Sequence, residues 1–412
     1  MKTIAVLGAG VTGITTAYAL QKRGFDVSII DRQRYAAMET SFANGGQLSA
    51  SNAEVWTRWS TVLKGLKWMT QRDAPLLMNP YPTWHKYSWI AEFMASIPKY
   101  SANTIETARM AIQAREPLLA WAKEAGVEFD PEMRGILHIY RSKKEFDHAT
   151  MVNGLLAKAG LERHSVTPKE MLEIEPTLKG DFYGGYYTES DFTGDIHKYT
   201  VGLAKAFEAN GGKLLLEREI TSASAIGDKG VAVMVRTKSN EIESLSFDSC
   251  VVCAGIGSRD IARQLGDRVN IYPVKGYSIT VNLSDKASQK AAPTVSLLDD
   301  ETKLVSSRLG KDRLRVAGTA EFNGYNRDIR ADRIKPLVDW VNAIFPDVST
   351  ETVVPWAGLR PMMPSMMPRV GRGKHQGVFY NTGHGHLGWT LSACTAEMIS
   401  ALVEANAHSN AP

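Results

Sequence analysis

Lys2-Thr3-Ile4-Ala5-Val6-Leu7-Gly8-Ala9-Gly10-Val11-Thr12-Gly13 decides the fold. A short apolar run leads into G-x-G-x-x-G, Ile14 to Lys22 carry helical spacing up to Gly24, and Phe25 to Ile30 form a second apolar run ending at Asp31. Strand, glycine turn, helix, strand and acid in that order are the parts of a dinucleotide-binding βαβ unit. Each glycine meets a separate physical demand: Gly8 the tight turn, Gly10 the approach of the backbone to a pyrophosphate, and Gly13 the close packing of helix on strand. The amides of Val11 and Thr12 at the helix start then face the diphosphate. Asp31, with Arg32 beside it, is placed to accept hydrogen bonds from the adenosine ribose. The competing reading is a glycine-rich structural turn, which would not need the flanking strands, helix and acid. The unit alone does not separate FAD from NAD.

Outward from this motif, 412 residues exceed what one compact core usually supports, so two domains are expected. A net charge of +4, with basic residues dispersed among acidic ones, argues against a nucleic-acid partner. No run of roughly eighteen apolar residues marks a membrane span. The apolar start is interrupted by glycines and has no small-residue cleavage site, so it reads as folded structure rather than a signal peptide. Three cysteines are too few for a disulfide framework and suit a reducing, cytoplasmic setting. Cys250 and Cys253 form a C-x-x-C spacing, but within an apolar strand, where positions three apart face opposite sides; buried thiols are expected there rather than a redox pair.

Further along stand Met38-Glu39-Thr40-Ser41-Phe42-Ala43-Asn44-Gly45-Gly46-Gln47, Trp356-Ala357-Gly358-Leu359-Arg360-Pro361 and Asn381-Thr382-Gly383-His384-Gly385-His386-Leu387-Gly388-Trp389-Thr390. With Lys67-Trp68-Met69, Asp73-Ala74-Pro75-Leu76, Tyr272-Pro273-Val274-Lys275-Gly276-Tyr277-Ser278 and Arg315 to Glu321, they run in order over nearly the whole chain. Together they resemble the bacterial FAD-dependent D-amino-acid dehydrogenase family, small-subunit type, within the D-amino-acid oxidase group of flavoproteins. The resemblance implies an α/β protein: a discontinuous Rossmann-like FAD-binding domain (1–50, 190–270 and 350–412) with an inserted α+β substrate domain (51–189 and 271–349) on a mixed, largely antiparallel sheet. Strand-like runs at Lys213 to Leu216, Val231 to Val235 and Leu245 to Val252 agree with this, and Tyr277, Ile279 and Val281 alternate with polar residues as in a half-buried strand. One segment departs from the family: Met363-Pro364-Ser365-Met366-Met367-Pro368 stands where Pro-Asp-Gly is usual, losing an acid and a glycine.

The resemblance assigns the FAD site, beyond the first motif, to Thr40, Ser41, Asn44, Gly45, Gly46, Gln47, Ala254, Gly255, Gly383, Gly385, His386, Leu387 and Gly388. The helix that follows His386, running to about Ala405, would direct its amides at the flavin edge that gains negative charge. Amine oxidation by a flavin requires that the α-carbon be held against N5; it needs neither a side-chain nucleophile nor a metal, and no ligand cluster stands out. Arg360 is the expected substrate-carboxylate anchor, its fork matching two oxygens, against the plainer reading of an ordinary ion pair. Tyr277 is expected to complete that site with its phenol, against packing in the sheet. His384 is the candidate catalytic histidine, against helix capping. Trp56, Trp59, Trp68, Trp84 and Trp89 with Arg58, Lys64, Lys67 and Arg72 suggest an interfacial patch, which places the protein in the cytoplasm or peripherally on the inner face of the cytoplasmic membrane. The expected reaction is oxidative deamination of a D-amino acid with electrons passing to a quinone-type acceptor. The alternatives are oxidation of another small amine or imino acid (glycine, sarcosine, a D-proline-like compound), an NAD dehydrogenase and a non-catalytic flavin-binding sensor.

Overall fold

The computed structural model describes residues 2–68, 76–228 and 230–408. Met69, Arg72 and Asp73-Ala74-Pro75 lie outside the described residues, as do the side chains of Lys64, Lys67 and Trp68.

Two large sheets organise the chain. The first has six strands in the order Arg369–Arg372, Val378–Thr382, Ser249–Val252, Thr3–Leu7, Asp26–Ile30 and Lys213–Leu215. All neighbours are parallel except the first pair. Parallel strands covered on both faces read as continuous apolar runs, and Ile4 to Leu7 are all buried. Ile4 and Val6 face a core shared with the helices Val11–Lys22, Tyr100–Glu124, Ile196–Ala209 and Gly388–His408. Ala5 and Leu7 face the helix Ser258–Gln264 and a three-stranded antiparallel sheet. Cys250 and Cys253 divide between these two cores, and burial pushes both thiols up to about 12.

The second sheet is mixed and mainly antiparallel, in the order Val353–Met362, Tyr272–Asn282, Arg313–Phe322, Leu304–Leu309, Ser296–Asp299, Ile136–Tyr140, Gly184–Thr188 and His164–Val166, with Leu76–Met78 beside Arg313–Phe322. The helix Ala331–Ile344 covers one of its faces through Leu337, Trp340 and Val341. The loop of residues 43–46 lies on the other: Ser278 Oγ donates to the Ala43 carbonyl at 3.2 Å and Ser307 Oγ to that of Gly45 at 2.7 Å. The strand Tyr272–Asn282 is therefore buried on both sides rather than half-buried, Ser278 included.

Two stretches sit differently from the expected segment boundaries. Val353–Met362 pairs with Tyr272–Asn282 along its full length, so the carrier of Arg360 belongs to the second sheet, and the chain rejoins the first only at Arg369. Within 51–189, the helix Tyr100–Glu124 packs Leu118 and Trp121 into the core of the first sheet.

Candidate active site and cofactor cleft

One cavity of about 770 Å³ runs between the sheets, from Asp31 and Arg32 past Gly10 to Arg360 and the start of the helix Gly388–His408. Its first end is made of backbone. Gly8 adopts φ +113°, and a Cβ on Gly13 would lie 1.9 Å from the Gly8 carbonyl oxygen, so both glycines are imposed by the turn itself. Gly10 is different. Its backbone is extended, with φ −75° and ψ 177°, and a Cβ there would meet only Ser41 Oγ, at 3.5 Å. No atom of the described residues demands a glycine at this position; what its bareness preserves is the open cradle in front of the helix. Ser41 Oγ accepts from the Val11 amide at 3.0 Å, and Thr12 lies on the cavity wall. Asp31 is fixed by the amides of Ala9 (2.7 Å) and Gln33 (2.8 Å), while burial, outweighing these bonds, raises its carboxyl above the usual range. A helix N-terminus, an open cradle and a held carboxylate fit the diphosphate and ribose of a dinucleotide.

Along the cleft, Thr40, Asn44, Gly45, Gln47, Ala254, Gly255, Gly383, Gly385, His386, Leu387 and Gly388 all contribute to the wall. Gly13 and Gly46 do not; Gly46 has φ +76° and donates its amide to Asn44 Oδ1, shaping the loop instead. Gly383 and Gly385 also have positive φ, and a Cβ on them would lie 2.4 Å from Met363 Cγ and 2.6 Å from Met362 Sδ respectively. After the short turn Gly385–Leu387, the helix Gly388–His408 presents its first residues to the cavity, a place that favours negative charge.

The other end of the cavity is made of side chains. Arg360 lies across Gly276, where a Cβ would come within 2.3 Å of the guanidinium. Its Nη1 donates to the Thr319 carbonyl at 2.8 Å and Nη2 to that of Gly318 at 3.4 Å. These carbonyls are aimed by a bulge: register with Tyr272–Asn282 shifts between Lys275 and Tyr277, and Thr319 takes a left-handed φ of 56°. Thr319 Oγ1 is buried without a hydrogen-bond partner among the described residues. No carboxylate among the described residues acts on Arg360; burial alone lowers its pKa, to about 10, which leaves it cationic at neutral pH.

Tyr277 lines the same cavity, but from the opposite face of the paired strands to Arg360. Cross-strand pairing puts Arg360 with Val274 and Gly358 with Gly276 on one face, and Tyr277 with Ala357 on the other. There the phenol donates to Glu321 Oε2 at 2.6 Å, in a buried group completed by Lys275 3.3 Å from Glu321. His384 is likewise engaged, its Nε2 3.0 Å from Thr395 Oγ1, with burial holding its pKa down to about 3. Sequence reasoning passed over Gly276, Thr319 and the stack of Trp56 on His386 (centroids 4.7 Å apart, 19° between planes). Gly276 carries the one signal that was available, a glycine opposite Gly358 in paired strands.

Comparison with known proteins agrees with this geometry. Residues 3–402 match the family described as DAO, FAD dependent oxidoreductase. A protein of Mesorhizobium japonicum named D-amino acid dehydrogenase 3 is 60% identical over 98% of this chain and 97% of its own length. A D-amino acid dehydrogenase of Dechloromonas aromatica is 41% identical over 96% of each chain. Among solved structures, glycine oxidase from Geobacillus kaustophilus superposes with a TM-score of 0.74 at 19% identity, covering 98% of this chain and 95% of its own. L-proline dehydrogenase from P. horikoshii gives 0.75 at 16%, covering 98% and 93%. At such identities these two establish the fold. The cradle at Gly10, the cleft continuing from it and a match spanning residues 3–402 lead to one conclusion: the chain belongs to the FAD dependent oxidoreductase family.

Proposed function

We propose that this protein deaminates D-amino acids oxidatively, giving a 2-oxo acid and ammonia and passing the electrons to a quinone-type acceptor. The observation that carries the reading is Arg360, a half-buried cation lining the cleft that no carboxylate among the described residues neutralises. A buried charge is costly unless paired, so the site favours an anionic ligand, and the guanidinium fork suits a carboxylate. The carbonyls of Thr319 and Gly318 hold the fork in place, so little ordering remains when substrate arrives. FAD, when bound, supplies the acceptor for the α-hydrogen and its electron pair. Arg360 turns the α-carbon, rather than the side chain, toward that acceptor. The start of the helix Gly388–His408 favours negative charge at the same end of the cleft. Water then hydrolyses the imino acid. The name borne by the 60% identical relative supports the substrate class.

The acceptor and its location rest on a different surface. The helices Trp59–Trp68 and Trp84–Ala95 expose Trp59, Leu63 and Trp84 by 61%, 64% and 84%, and Thr61 and Leu76 of the same region line the cavity. No described helix is long and apolar enough to cross a membrane. An apolar surface beside the cleft supports peripheral contact with a quinone-bearing bilayer, on its cytoplasmic side. The test of substrate is anaerobic bleaching of the flavin across D- and L-amino acids; D-selective bleaching is expected, and bleaching by none of them removes the reading. Recovery of colour with a soluble quinone but slowly with oxygen supports the acceptor. Vesicle co-sedimentation that survives Trp59→Ser with Trp84→Ser removes the contact.

A further inference from the structure

The two histidines of the loop Gly383–Gly388 are used differently. His384 bonds Thr395 inside the fold, whereas the His386 ring bonds the Asn52 backbone and its Nε2 is enclosed without a partner among the described residues. The ring lies on the wall of the cavity that also contains Arg360, and its plane is fixed by the stack on Trp56. The structure assigns His386 as the group that receives the substrate amine, completing with Arg360 a two-point grip on the amino acid; this rests on the substrate class proposed above.

An α-amino acid carries its carboxylate and its amine on one carbon, so a carboxylate held by Arg360 brings amine hydrogens to a neighbouring site, which must accept them. A second cation there would repel an ammonium, and a carboxylate would neutralise Arg360 instead of leaving it for the substrate. A neutral imidazole avoids both faults, since one ring nitrogen accepts. His386 is kept neutral: burial and then the Arg360 charge lower its pKa to about 4, against the Asn52 backbone, which favours the proton. Other charges lining the cavity pair with one another: Arg58 with Glu54 at 3.2 Å, Lys303 with Asp300 at 2.6 Å and Arg327 with Glu39 at 2.6 Å. Two anchored substituents, with the cofactor face as the third reference, leave one enantiomer with its α-hydrogen toward the acceptor.

The test compares ligands that do and do not carry an amine. His386→Phe keeps a ring to stack on Trp56 but has no nitrogen, and His386→Gln restores an acceptor. The probes are the best D-amino acid, followed by steady-state kinetics, and the carboxylic acid with the same side chain and hydrogen in place of the amine, followed by the flavin difference spectrum. His386→Phe should lower kcat/KM by about 10- to 100-fold, the range expected for one hydrogen bond to a charged or charge-developing group, while Kd for the amine-free acid changes less than about threefold. His386→Gln should recover part of the loss. Equal losses for both ligands, or a loss for neither, overturn the assignment. Should His386→Phe not retain flavin, the same two-ligand comparison of His386→Gln with His386→Asn decides. Wild-type flavin that no D-amino acid bleaches overturns the substrate class and this assignment together, whereas normal wild-type bleaching with an unimpaired His386→Phe overturns the assignment alone.

Discussion

The two ends of the cleft are built on opposite principles. At the cradle, backbone makes the wall, and glycines within six consecutive residues set its shape: Gly8 and Gly13 because neighbouring backbone leaves no room for a side chain, Gly10 by keeping open the space in front of the helix. At the substrate end, side chains do the binding, and what places them is pairing between strands far apart in sequence. Arg360 is aimed by carbonyls of residues 318 and 319, over a glycine at 276. A backbone site is encoded locally and fails through sterics. A side-chain site is encoded by register and fails through lost charge and orientation.

Substitutions at the two ends should therefore fail in different ways. The largest effect should come from Gly13→Val, whose Cβ would stand 1.9 Å from a backbone oxygen that cannot yield. A loss above about 4 kcal/mol, seen as insoluble or unfolded protein, is expected; a soluble, flavin-loaded variant would show that the turn tolerates what its geometry forbids. Next is Arg360. Charge-assisted hydrogen bonds of about 1.5 to 3 kcal/mol make each lost bond worth roughly 10- to 100-fold in kcat/KM, so Arg360→Lys should be impaired and Arg360→Ala more so, at near-normal FAD content. If an amine lacking the carboxylate suffers equally, Arg360 does not anchor that group. Third, Gly10→Ala should leave the apoprotein Tm unchanged while weakening FAD by about 10- to 100-fold in a titration of apoprotein, because the new methyl meets the ligand and not the fold. A matching fall in apoprotein Tm would erase the distinction between Gly10 and its neighbours. The smallest effect on turnover should be that of Tyr277→Phe, with kcat/KM changing less than about threefold.

Tyr277→Phe should act on stability instead. Burial raises the Glu321 pKa, but hydrogen bonds from Tyr277 and Asn323 and the charge of Lys275 outweigh it and leave the carboxyl below its ordinary value. A group so lowered contributes stability above its unfolded pKa of about 4.3 and loses it as pH falls through the folded value. Losing the 2.6 Å phenol bond should therefore cost about 1.5 to 3 kcal/mol near neutrality, with the gap between wild type and variant closing in acid. Denaturant titrations at several pH values check this; a gap that widens in acid contradicts it.

How legible each part was follows from the same contrast. The turn from Gly8 to Gly13, the two strands around it and Asp31 could be read because the positive φ of Gly8, the contact of Gly13 with Gly8 and the bond from Ala9 to Asp31 lie within about thirty residues; that a Cβ on Gly8 would also meet the Cys253 carbonyl could not. Arg360 could be singled out as a residue but not given its sheet: Pro355 and Pro361 disguise the strand Val353–Met362, and they are tolerated because it is an edge strand whose one partner lies some eighty residues earlier. Tyr277 alternated with polar neighbours as if one face were open to solvent. The polar neighbour Ser278 instead meets the loop of residues 43–46, and the tyrosine turns to Glu321. The roles of His384 and His386 differ by the direction of a single turn, which periodicity does not report. In the segment of residues 363–368, Met366 takes a left-handed φ of 64°, and its side chain is buried in the cluster that contains Met362 and Trp89. Buried apolar volume there offsets a backbone strain of roughly 1 to 2 kcal/mol.

The order of strands in the first sheet also governs how the protein can be made. Thr3–Leu7 emerges from the ribosome early, but one neighbour is Ser249–Val252, and that strand's other neighbour is Val378–Thr382. At about 5 to 20 residues per second, the first strand waits roughly 12 to 50 seconds for its partner, and the cleft is not closed until the helix Gly388–His408 has been synthesised. During that interval the glycine turn is complete in sequence, but its strand has a neighbour on one side only, Asp26–Ile30. Cofactor capture is thus a late event in biogenesis, and flavin supply should govern the yield of finished molecules more than the rate at which chains are started.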